Sequence, residues 1–390
     1  MDSCEKNISN YAVVVGDAHF NSLGLIRSLG EKGIGSVFIN IDSDGSAEHS
    51  KYTLKTVHVG STDEIADAVK TVVESRGGKP ALFPASDAAA IALDAAYGSL
   101  SKLAFCPGLS GKAEFYMDKA EMCRVAEECG FTVPETRAMD ITSENKARLA
   151  AFGLPFIIKP LKSVDGQKTD ITICKTREDA VKAADAFFSE GSGYRKVLVQ
   201  QFVHGENNLM VEYCGCKTKG KKVRCYAQLE KFREYPVDRG STSYAIIKDS
   251  ITYIDVEKFD TMLERFGFEG LFDLELKVVD GTPYFMEINF RNGAPSYGFT
   301  AAGFNLPFTW YRDCLGNETE IKLHTVKIMN EAGDLRHVAE KNISALRWVA
   351  DFCGADALML YNRNDKAPFA NAYGRLVTKG VSVLRAVKKI

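Results

Sequence analysis

Residues 270–291 read GLFDLELKVVDGTPYFMEINFR, two apolar runs that meet at Asp280-Gly281. An Asp-Gly pair between alternating apolar runs is a strong signal for a tight β-hairpin. Side chains two residues apart on a strand point to the same face. The stretch therefore predicts two antiparallel strands whose polar residues gather on one face.

The polar residues of this hairpin fall at alternating positions, with Asp273 and Glu275 on the first strand and Glu287, Asn289 and Arg291 on the second. Carboxylates that are grouped together repel one another and need a cation, and oxygen ligands suit Mg²⁺ or Mn²⁺. The alternative is a hairpin that simply exposes polar residues on a solvent face. The segments that precede the hairpin favour the metal site.

The composition is that of a globular protein with more than one domain. The chain has 390 residues, 45% of them hydrophobic and 26% charged, which is enough for two or three domains. Its 49 basic and 51 acidic residues leave a formal charge of −2 and indicate no nucleic-acid partner. No apolar run reaches the roughly 20 residues that span a bilayer, and the polar start MDSCEKNISN is unlike a secretory signal. These features predict a cytoplasmic protein without a membrane partner.

Ten cysteines are spread along the chain. Cys214 and Cys216 lie two apart in a strand-like run, a spacing that does not suit zinc. Disulfides are the alternative, but reduced and packed thiols are expected of a cytoplasmic protein.

The first part of the chain alternates strands with helices. The predicted order is strand 11–15, helix 23–29, strand 37–41, helix 65–74, strand 81–84 and helix 87–97. This alternation predicts a parallel sheet flanked by helices. The first loop lacks G-x-G-x-x-G, so no nicotinamide site is assigned there.

Ser86-Asp87 lies at the carboxyl end of a predicted strand, where open α/β sheets bind ligands. The same position is also the start of a predicted helix, where Asp is a favoured N-cap residue. We interpret Asp87 as the cap.

From Asp118 onward the chain mixes strands and helices less regularly. The predicted elements are a helix from 118 to 130, strands at 156–159 and 171–174, a helix at 177–188, and strands at 197–200, 208–213 and 223–229. Residues 231–244 are predicted as a long loop. Residues 317–390 show a mixed pattern without recognisable chemistry.

Several segments, taken in order, carry the motifs of one family. They are Asp118-Lys119 before FTVPET, FIIKP ending at Lys159-Pro160, the loop LKSVDGQKTD, VLVQQFVHGEN, and DLEL…FMEINFR. This ordered set resembles the ATP-grasp superfamily, and within it most closely the amino-acid ligases of the D-aspartate ligase type. The resemblance covers about residues 10–315, and Glu-x-Asn-x-Arg is its most specific part.

The resemblance implies a multidomain protein of the α/β and α+β classes. An N-terminal parallel-sheet domain, the pre-ATP-grasp domain, is expected before a two-lobed ATP-grasp fold. The implied divisions are 1–115 for the N-terminal α/β domain, 116–198 for the small lobe with a phosphate lid, 199–316 for the large lobe with the metal site, and 317–390 for a C-terminal mixed subdomain.

For the triphosphate, the resemblance assigns two lysines and a lid. Lys159 stands at a strand end, where its ammonium reaches the α- and β-phosphates, and Lys119 has a similar role. Gly166 gives the loop at 163–169 the backbone freedom and the amide donor of a lid over the phosphates. The alternatives are a surface role for Lys119 and an ordinary hairpin loop for the lid.

For adenine and ribose, the resemblance assigns the hinge between the two lobes. The hinge comprises Gln200, Gln201, Phe202 and Val203. The backbone amide of Val203 is expected to bind the base and Gln200 its exocyclic amine, although many relatives have Glu at the Gln200 position. Either Glu206 or Asn207 is expected to contact the ribose hydroxyls. The alternative is a strand with its exit turn.

For the metal, the resemblance assigns Glu275, Glu287 and Asn289 as ligands of Mg²⁺ (or Mn²⁺), with Asp273 as a substitute or helper. Arg291 is expected to stabilise the charge on the transferring phosphoryl group. A structural salt bridge is the alternative for Arg291.

Three further basic residues fall where relatives hold the γ-phosphate or the substrate carboxylate, namely Lys231, Arg233 and Arg239. The rigid fork of arginine suits a carboxylate or an acyl-phosphate. Segments 239–242 and 292–294 are expected to frame the substrate pocket. The alternative is a solvated basic loop.

The sequence as a whole predicts an ATP-dependent carboxylate–amine ligase. A carboxylate of an amino acid or peptide-like precursor attacks the γ-phosphate, and an amine then displaces phosphate from the acyl-phosphate. ATP, Mg²⁺ and two small-molecule substrates are implied, and a homodimer is one oligomeric state that the resemblance allows. No motif for a protein nucleophile is present, so positioning and electrostatics must carry the catalysis. The alternatives are a bicarbonate-activating carboxylase or carbamoyl-type enzyme, and a non-catalytic nucleotide-binding scaffold.

Overall fold

The computed structural model describes residues 11–161, 171–189, 194–205, 208–237 and 240–374. Its strands, in chain order, are β1 (Tyr11–Gly16), β2 (Gly35–Asn40), β3 (Thr53–His58), β4 (Leu82–Pro84), β5 (Thr136–Asp140), β6 (Phe156–Pro160), β7 (Thr172–Cys174), β8 (Lys196–Gln201), β9 (Asn208–Lys217), β10 (Gln228–Tyr235), β11 (Ser241–Lys248), β12 (Gly270–Val279), β13 (Thr282–Asn289), β14 (Val326–Met329) and β15 (Ala357–Leu358). Its α-helices are α1 (Phe20–Gly30), α2 (Ile65–Arg76), α3 (Asp87–Ala95), α4 (Tyr97–Leu100), α5 (Ala113–Tyr116), α6 (Lys119–Glu128), α7 (Ser143–Ala150), α8 (Arg177–Phe187), α9 (Val256–Phe266), α10 (Ser296–Ala301), α11 (Leu306–Cys314), α12 (Glu331–Ala339) and α13 (Ala345–Cys353).

The first sheet is parallel, with its strands in the order β3-β2-β1-β4. Every residue of the apolar strand β1 is buried, as expected of a parallel strand that is covered on both faces. Helix α1 connects β1 to β2, which confirms the β-α-β start that the sequence predicted.

The second sheet is antiparallel, with the order β5-β8-β6-β7. Phe156 and Ile158 of β6 belong to a core that includes residues of α7 and α8. Side chains alternate along a strand, so Ile157 and Lys159 point the other way and line a cavity.

The third sheet has seven strands in the order β13-β12-β9-β10-β11-β14-β15. Strands β12 and β13 form the hairpin that the sequence predicted. At its turn, Asp280 and Gly281 have φ of 48° and 83°, the left-handed values that a type I′ hairpin turn requires. Phe272 and Leu274 of β12 pack in one core with residues of α6 and α9, which leaves Asp273 and Glu275 on the opposite face.

The prediction of a long loop over residues 231–244 is wrong. Strand β10 continues to Tyr235 and β11 begins at Ser241, and the two pair antiparallel with an irregular register near Arg233. Charged residues made this segment look like a loop, but their partners lie elsewhere in the fold. Lys231 meets carboxylates of the same sheet, and Arg233 meets carboxylates of α12 and α13.

The segment after residue 317 also has a definite place. Strands β14 and β15 extend the seven-stranded sheet beyond β11. Asp365 bonds to the buried Arg27 of α1 at 2.9 Å. None of the described residues of this segment lines the cavity described below, and Asp334 and Asp351 form ion pairs with Arg233.

The sequence also led to expectations about membrane-spanning helices and about the cysteines. In the part of the chain that the structure describes, no helix combines the length and the apolar character needed to cross a membrane. The cysteines of these ranges are free thiols and most of them are buried, as expected of packed, reduced residues.

Candidate functional site

A cavity of about 550 Å³ lies between the antiparallel sheet of β5–β8 and one face of the seven-stranded sheet. Ile157 and Ile173 line it from the smaller sheet, and Met210 and Met286 line it from the larger one. Its charged lining residues are Asp87, Lys119, Lys159, Glu212, Lys231, Glu234, Asp273, Glu275, Lys277, Glu287 and Arg291. An apolar slot beside a densely charged region suits a ligand with a flat base and an anionic tail.

The hairpin supplies the oxygen ligands in register. Asp273 lies opposite Asn289, and Glu275 lies opposite Glu287. The pairing then shifts, because Leu276 lies opposite Phe285 and Met286 is the extra residue. Such a bulge re-aims side chains locally, and both Met286 and Glu287 line the cavity.

Each glutamate of the hairpin is paired with a different lysine. Lys119 Nζ lies 3.1 Å from Glu287 Oε2, and Lys231 Nζ lies 3.2 Å from Glu275 Oε2. These lysines are the groups expected to meet phosphates. The charges of the two glutamates are therefore balanced by the two lysines. Cations that suit a triphosphate thus lie beside carboxylates that suit a metal.

Glu275, Glu287 and Asn289 fit a hard divalent cation, since they offer carboxylate and amide oxygens from two adjacent strands. Asp273 fits less well. Its carboxylate approaches Arg291 and Cys214, and burial together with Glu212 and Glu275 raises its pKa well above the usual range. In the described ranges, one trio of carboxylate or histidine ligands has all its atoms within 4.8 Å, namely Asp44, Glu48 and His58 near β3. Asp273 therefore forms no such trio with the two glutamates.

Lys119 is fixed by the start of α6, where the Asp118 side chain accepts hydrogen bonds from Ala120 N and Glu121 N. Burial lowers the pKa of Lys119, but the Glu287 carboxylate outweighs it and the net shift is upward. The residue is therefore a partly buried cation that lines the cavity and is paired with Glu287.

Lys159 is the last residue but one of β6, and it lines the cavity. Its Nζ donates to Gln200 Oε1 at 3.2 Å. Burial, and next the nearby charge of Lys119, lower the pKa of Lys159 to about 8. A buried lysine whose hydrogen-bond partner is a neutral amide is poised to bind an anion.

Arg291 is held by two acids from different parts of the chain. Its Nε donates to Asp87 Oδ1 at 3.1 Å, and its Nη1 lies 3.5 Å from Asp273 Oδ2. The interpretation of Asp87 as a helix cap is wrong, because Ser86 is the N-cap and accepts from Ala89 N. Asp87 lines the cavity instead.

The segment after Arg291 packs against α1 and the end of β4. Asn21 Nδ2 donates to Ala85 O at 2.7 Å and to Asn292 O at 3.0 Å, and Asn292 N donates to Pro84 O at 3.2 Å. A Cβ at Gly293 would come within 2.8 Å of Cys214 Sγ, so only glycine lets the chain pass this close to the sheet. These contacts fix the position from which Arg291 enters the cavity.

Lys231 and Arg233 lie on the same strand but serve different places. Lys231 is buried, and its Nζ lies 2.8 Å from Glu212 Oε1. Burial lowers the pKa of Lys231, but Glu212 and Glu275 raise it well above its usual value. Arg233 bonds to Asp334 at 2.8 Å and to Asp351 at 2.7 Å and is not a lining residue. The prediction that Arg233 serves the site is therefore corrected to a structural ion pair.

Of the four predicted hinge residues, two line the cavity and two do not. Phe202 and Val203 line the cavity, and Lys277 Nζ lies 4.5 Å from the centre of the Phe202 ring. Gln200 is fully buried, accepting from Lys159 and donating to Thr136 Oγ1 at 2.9 Å. Its carboxamide is thus used to position Lys159, and the expected contact with adenine is not supported. Gln201 is exposed and does not line the cavity.

Four predicted residues lie outside the described ranges, and their assignments stay predictions. They are Gly166, Glu206, Asn207 and Arg239. Of the segments expected to frame the substrate pocket, Gly240, Ser241, Thr242 and Ala294 do line the cavity.

Sequence reasoning missed Glu212 and the apolar walls. Glu212 stands in the middle of β9, a strand whose other residues are mostly apolar. A single charged residue in a predicted buried strand is the signal that could have drawn attention to it.

The sequence was also compared with known protein families and with known proteins. No family model matches this chain. A D-aspartate ligase of Enterococcus faecium (strain Aus0004) is 24% identical over 221 residues, which is 53% of this chain and 52% of the relative. The chain thus matches about half the length of that curated relative, in agreement with the resemblance drawn from the motifs.

Solved structures match over more of the chain. The L-amino acid ligase from Bacillus licheniformis has a TM-score of 0.62 at 15% identity and covers 81% of this chain and 79% of its own. The N5-carboxyaminoimidazole synthetase from Staphylococcus aureus, complexed with ADP, has a TM-score of 0.66 at 12% identity and covers 86% of both chains. With the two-sheet cavity and the order of the motifs, these likenesses lead to one conclusion. The chain has the fold of the ATP-grasp superfamily.

Proposed function

We propose that this protein is an ATP-dependent carboxylate–amine ligase that forms an amide through an acyl-phosphate. The observation that carries the proposal is the convergence of Lys119, Lys159, Arg291 and the paired Glu275 and Glu287 on one cavity. A triphosphate needs several cations and a metal, and an acyl transfer through phosphate needs no protein nucleophile. The likeness to a D-aspartate ligase and to an L-amino acid ligase supports this reaction class.

Mg²⁺ (or Mn²⁺) fits the donor set of Glu275, Glu287 and Asn289. When bound, the ion would neutralise charge on the transferring phosphoryl group. The remaining roles fall to side chains of the chain itself. Lys159 and Lys119 would hold the phosphate oxygens, and the apolar walls with Phe202 and Val203 would hold the base.

The reaction has two steps whose bonds balance. In the first, a carboxylate oxygen of the substrate bonds to the γ-phosphorus, the bond from that phosphorus to the β-bridging oxygen breaks, and ADP leaves. In the second, the amine nitrogen bonds to the acyl carbon, the carbon–oxygen bond to phosphate breaks, and the nitrogen loses a proton. Arg291 and Lys231 would stabilise the charge that builds on the transferring group.

The experiment is an assay of ADP release by the purified protein with Mg·ATP. D-aspartate and a panel of D- and L-amino acids would serve as carboxylates, each with candidate amines. A productive pair should stimulate ADP release, and an isotopic oxygen label in the carboxylate should appear in the phosphate. Nucleotide binding without stimulation by any pair would contradict the ligase proposal.

A second function is favoured by the likeness to the N5-carboxyaminoimidazole synthetase, whose name describes a carboxylated amine. In that case bicarbonate would be the acid that is activated. Bicarbonate-dependent ADP release in the absence of any organic carboxylate would support this alternative over the leading proposal.

A further inference from the structure

Glu212 of β9 lines the cavity beyond the metal-type carboxylates. It lies directly opposite Glu275 in the β9–β12 pairing, and Glu275 in turn lies opposite Glu287. Neighbouring strands are about 4.8 Å apart. Glu212 is therefore the third carboxylate in a row across the sheet, one strand farther from the ligand pair toward β10 and β11.

The two oxygens of the Glu212 carboxylate have different surroundings. Oε1 lies 2.8 Å from Lys231 Nζ and accepts from Thr242 Oγ1 at 2.7 Å. Oε2 is closed to solvent and has no hydrogen-bond partner among the residues that the structure describes. The whole residue is 3% exposed. A buried carboxylate oxygen without a donor is unfavourable unless a ligand or a water supplies one.

The other cavity carboxylates already have cationic partners. Asp87 and Asp273 meet Arg291, Glu287 meets Lys119, and Glu275 meets Lys231. Glu234 lies 3.7 Å from Lys231. Among these residues, Glu212 is the one with a solvent-closed oxygen that lacks a hydrogen-bond donor, so it marks where the site can accept one more donor group.

We infer that Glu212 binds the ammonium group of the acceptor substrate, which is therefore an amine that arrives protonated. This inference rests on the proposed ligase function. The metal and the lysines bind the anionic reactants, so the amine needs a separate anionic group. The row of carboxylates places such an ammonium about one strand spacing from Glu275, close enough to reach an acyl-phosphate held there.

In the step itself, the ammonium gives up one proton to solvent and the free amine nitrogen bonds to the acyl carbon. The carbon–oxygen bond then breaks, phosphate leaves with its electron pair, and the nitrogen loses a second proton to solvent. Binding at Glu212 would set the position of the nitrogen for that bond. Glu212 thus acts as a binding residue for the amine and not for the nucleotide.

The test compares charged and uncharged nucleophiles in wild type and in Glu212→Gln. Hydroxylamine is uncharged at neutral pH and traps acyl-phosphates as hydroxamates. In Glu212→Gln, the KM for the ammonium-bearing amine should rise by about ten- to a hundredfold, the range expected when a charged hydrogen bond is lost. The KM values for ATP and for the carboxylate, and the rate of hydroxamate formation, should stay close to wild type.

Glu230→Gln is the matched control. Glu230 is a mostly buried carboxylate on the neighbouring strand β10, paired with Lys248 at 2.7 Å, and it does not line the cavity. It should leave the KM for the amine unchanged. Glu212→Asp, which keeps the charge on a shorter side chain, should give a KM between those of wild type and Glu212→Gln.

The outcomes separate the two proposals. If wild type forms neither hydroxamate nor ADP with any carboxylate, the ligase function and the inference both fail. If wild type is active and Glu212→Gln keeps its KM for the amine, only the inference fails. Parallel loss of hydroxamate, a raised KM for the carboxylate or a changed Mg²⁺ requirement would place Glu212 at another ligand and would also overturn it.

A measurement on wild type alone guards against a misfolded variant. The alcohol analogue of a productive amine, which replaces the ammonium by a hydroxyl group, should inhibit with a Ki at least about tenfold above the KM of the amine. Equal affinity for the two would contradict a carboxylate that recognises the charge.

Discussion

Glu275 and Glu287 face each other across the β12–β13 hairpin, yet each is neutralised by a lysine from a different part of the chain. Lys231 comes from the same sheet, at 3.2 Å from Glu275, and Lys119 comes from the start of α6, at 3.1 Å from Glu287. A divalent cation between the two glutamates would release both lysines toward phosphate. Such an exchange of ion-pair partners would couple metal binding to nucleotide binding.

Replacing Glu287 should separate metal-dependent from metal-independent binding. Glu287→Gln should lower turnover by about a hundredfold or more, because the charge of the phosphoryl group loses its neutralisation. In Mg²⁺-free buffer the variant should bind ADP at least as tightly as wild type, since one repelling carboxylate is gone. Isothermal titration with and without Mg²⁺ checks this. Unchanged turnover, or equal loss of ADP affinity in both buffers, would speak against a metal role.

Nucleotide affinity should fall as the pH rises above about 8. The pKa of Lys159 is lowered to about 8, so its charge is present below that pH and lost above it. The Kd for Mg·ADP should then rise by up to about tenfold per pH unit, and binding near pH 8 should take up a proton. Lys119 and Lys231 do not produce this effect, because their pKa values are shifted upward.

The control for this prediction is Lys159→Met. This variant should bind Mg·ADP more weakly than wild type at neutral pH. Its affinity should also change much less between pH 7 and pH 9 than the affinity of wild type does. Titration in buffers of different ionisation enthalpy measures the proton uptake. A flat wild-type profile across this range would show that Lys159 does not touch the phosphates.

Lys231 and Arg233, two residues apart on β10, should behave in opposite ways. Arg233→Ala leaves the buried Asp334 without its arginine and Asp351 with Arg347 alone, and should lower the free energy of unfolding by about 3–5 kcal/mol. Its turnover per folded molecule should stay near wild type. Lys231→Met should lower turnover by about tenfold or more. Chemical denaturation and the ADP assay test both, and a catalytic defect in folded Arg233→Ala would return Arg233 to the site.

Asp87 should act through Arg291 and not as a helix cap. Asp87→Ala should lower kcat by about tenfold, because Arg291 loses its 3.1 Å partner. Asp87→Asn, which keeps an acceptor oxygen, should lose less. Ser86→Ala removes the true cap and should cost about 1 kcal/mol of stability with little effect on kcat. The reverse pattern in the two assays would restore the cap interpretation.

The hairpin was predictable because its information is local. The Asp280-Gly281 turn fixes the register next to the turn, where Val279 lies opposite Thr282. That register alone would place Met286 opposite Glu275, and the bulge at Met286, which no local rule predicts, brings Glu287 there instead. Lys159 was predictable for the same reason, since it ends a short apolar strand. These short-range rules do not depend on the rest of the fold.

The errors concern partners that are distant in sequence. Arg291 meets Asp87, 204 residues earlier, and Arg233 meets Asp334, 101 residues later. Glu212 becomes a site residue only because β9 pairs with β12. No local sequence pattern encodes such pairings. Arg233 was therefore predicted to lie in a loop, and Asp87 was predicted to cap a helix. The apolar neighbours of Glu212 in β9 likewise indicated a buried strand and not a residue of the site.

The most direct measurement is Mn²⁺ binding followed by electron paramagnetic resonance in the presence and absence of ADP. Wild type should hold Mn²⁺ tightly only when ADP is present, and a variant with both Glu275→Gln and Glu287→Gln should lose that binding while it keeps metal-free ADP binding. Retention of ADP-dependent Mn²⁺ binding in the double variant would contradict the metal site on the hairpin and the ligase mechanism that depends on it.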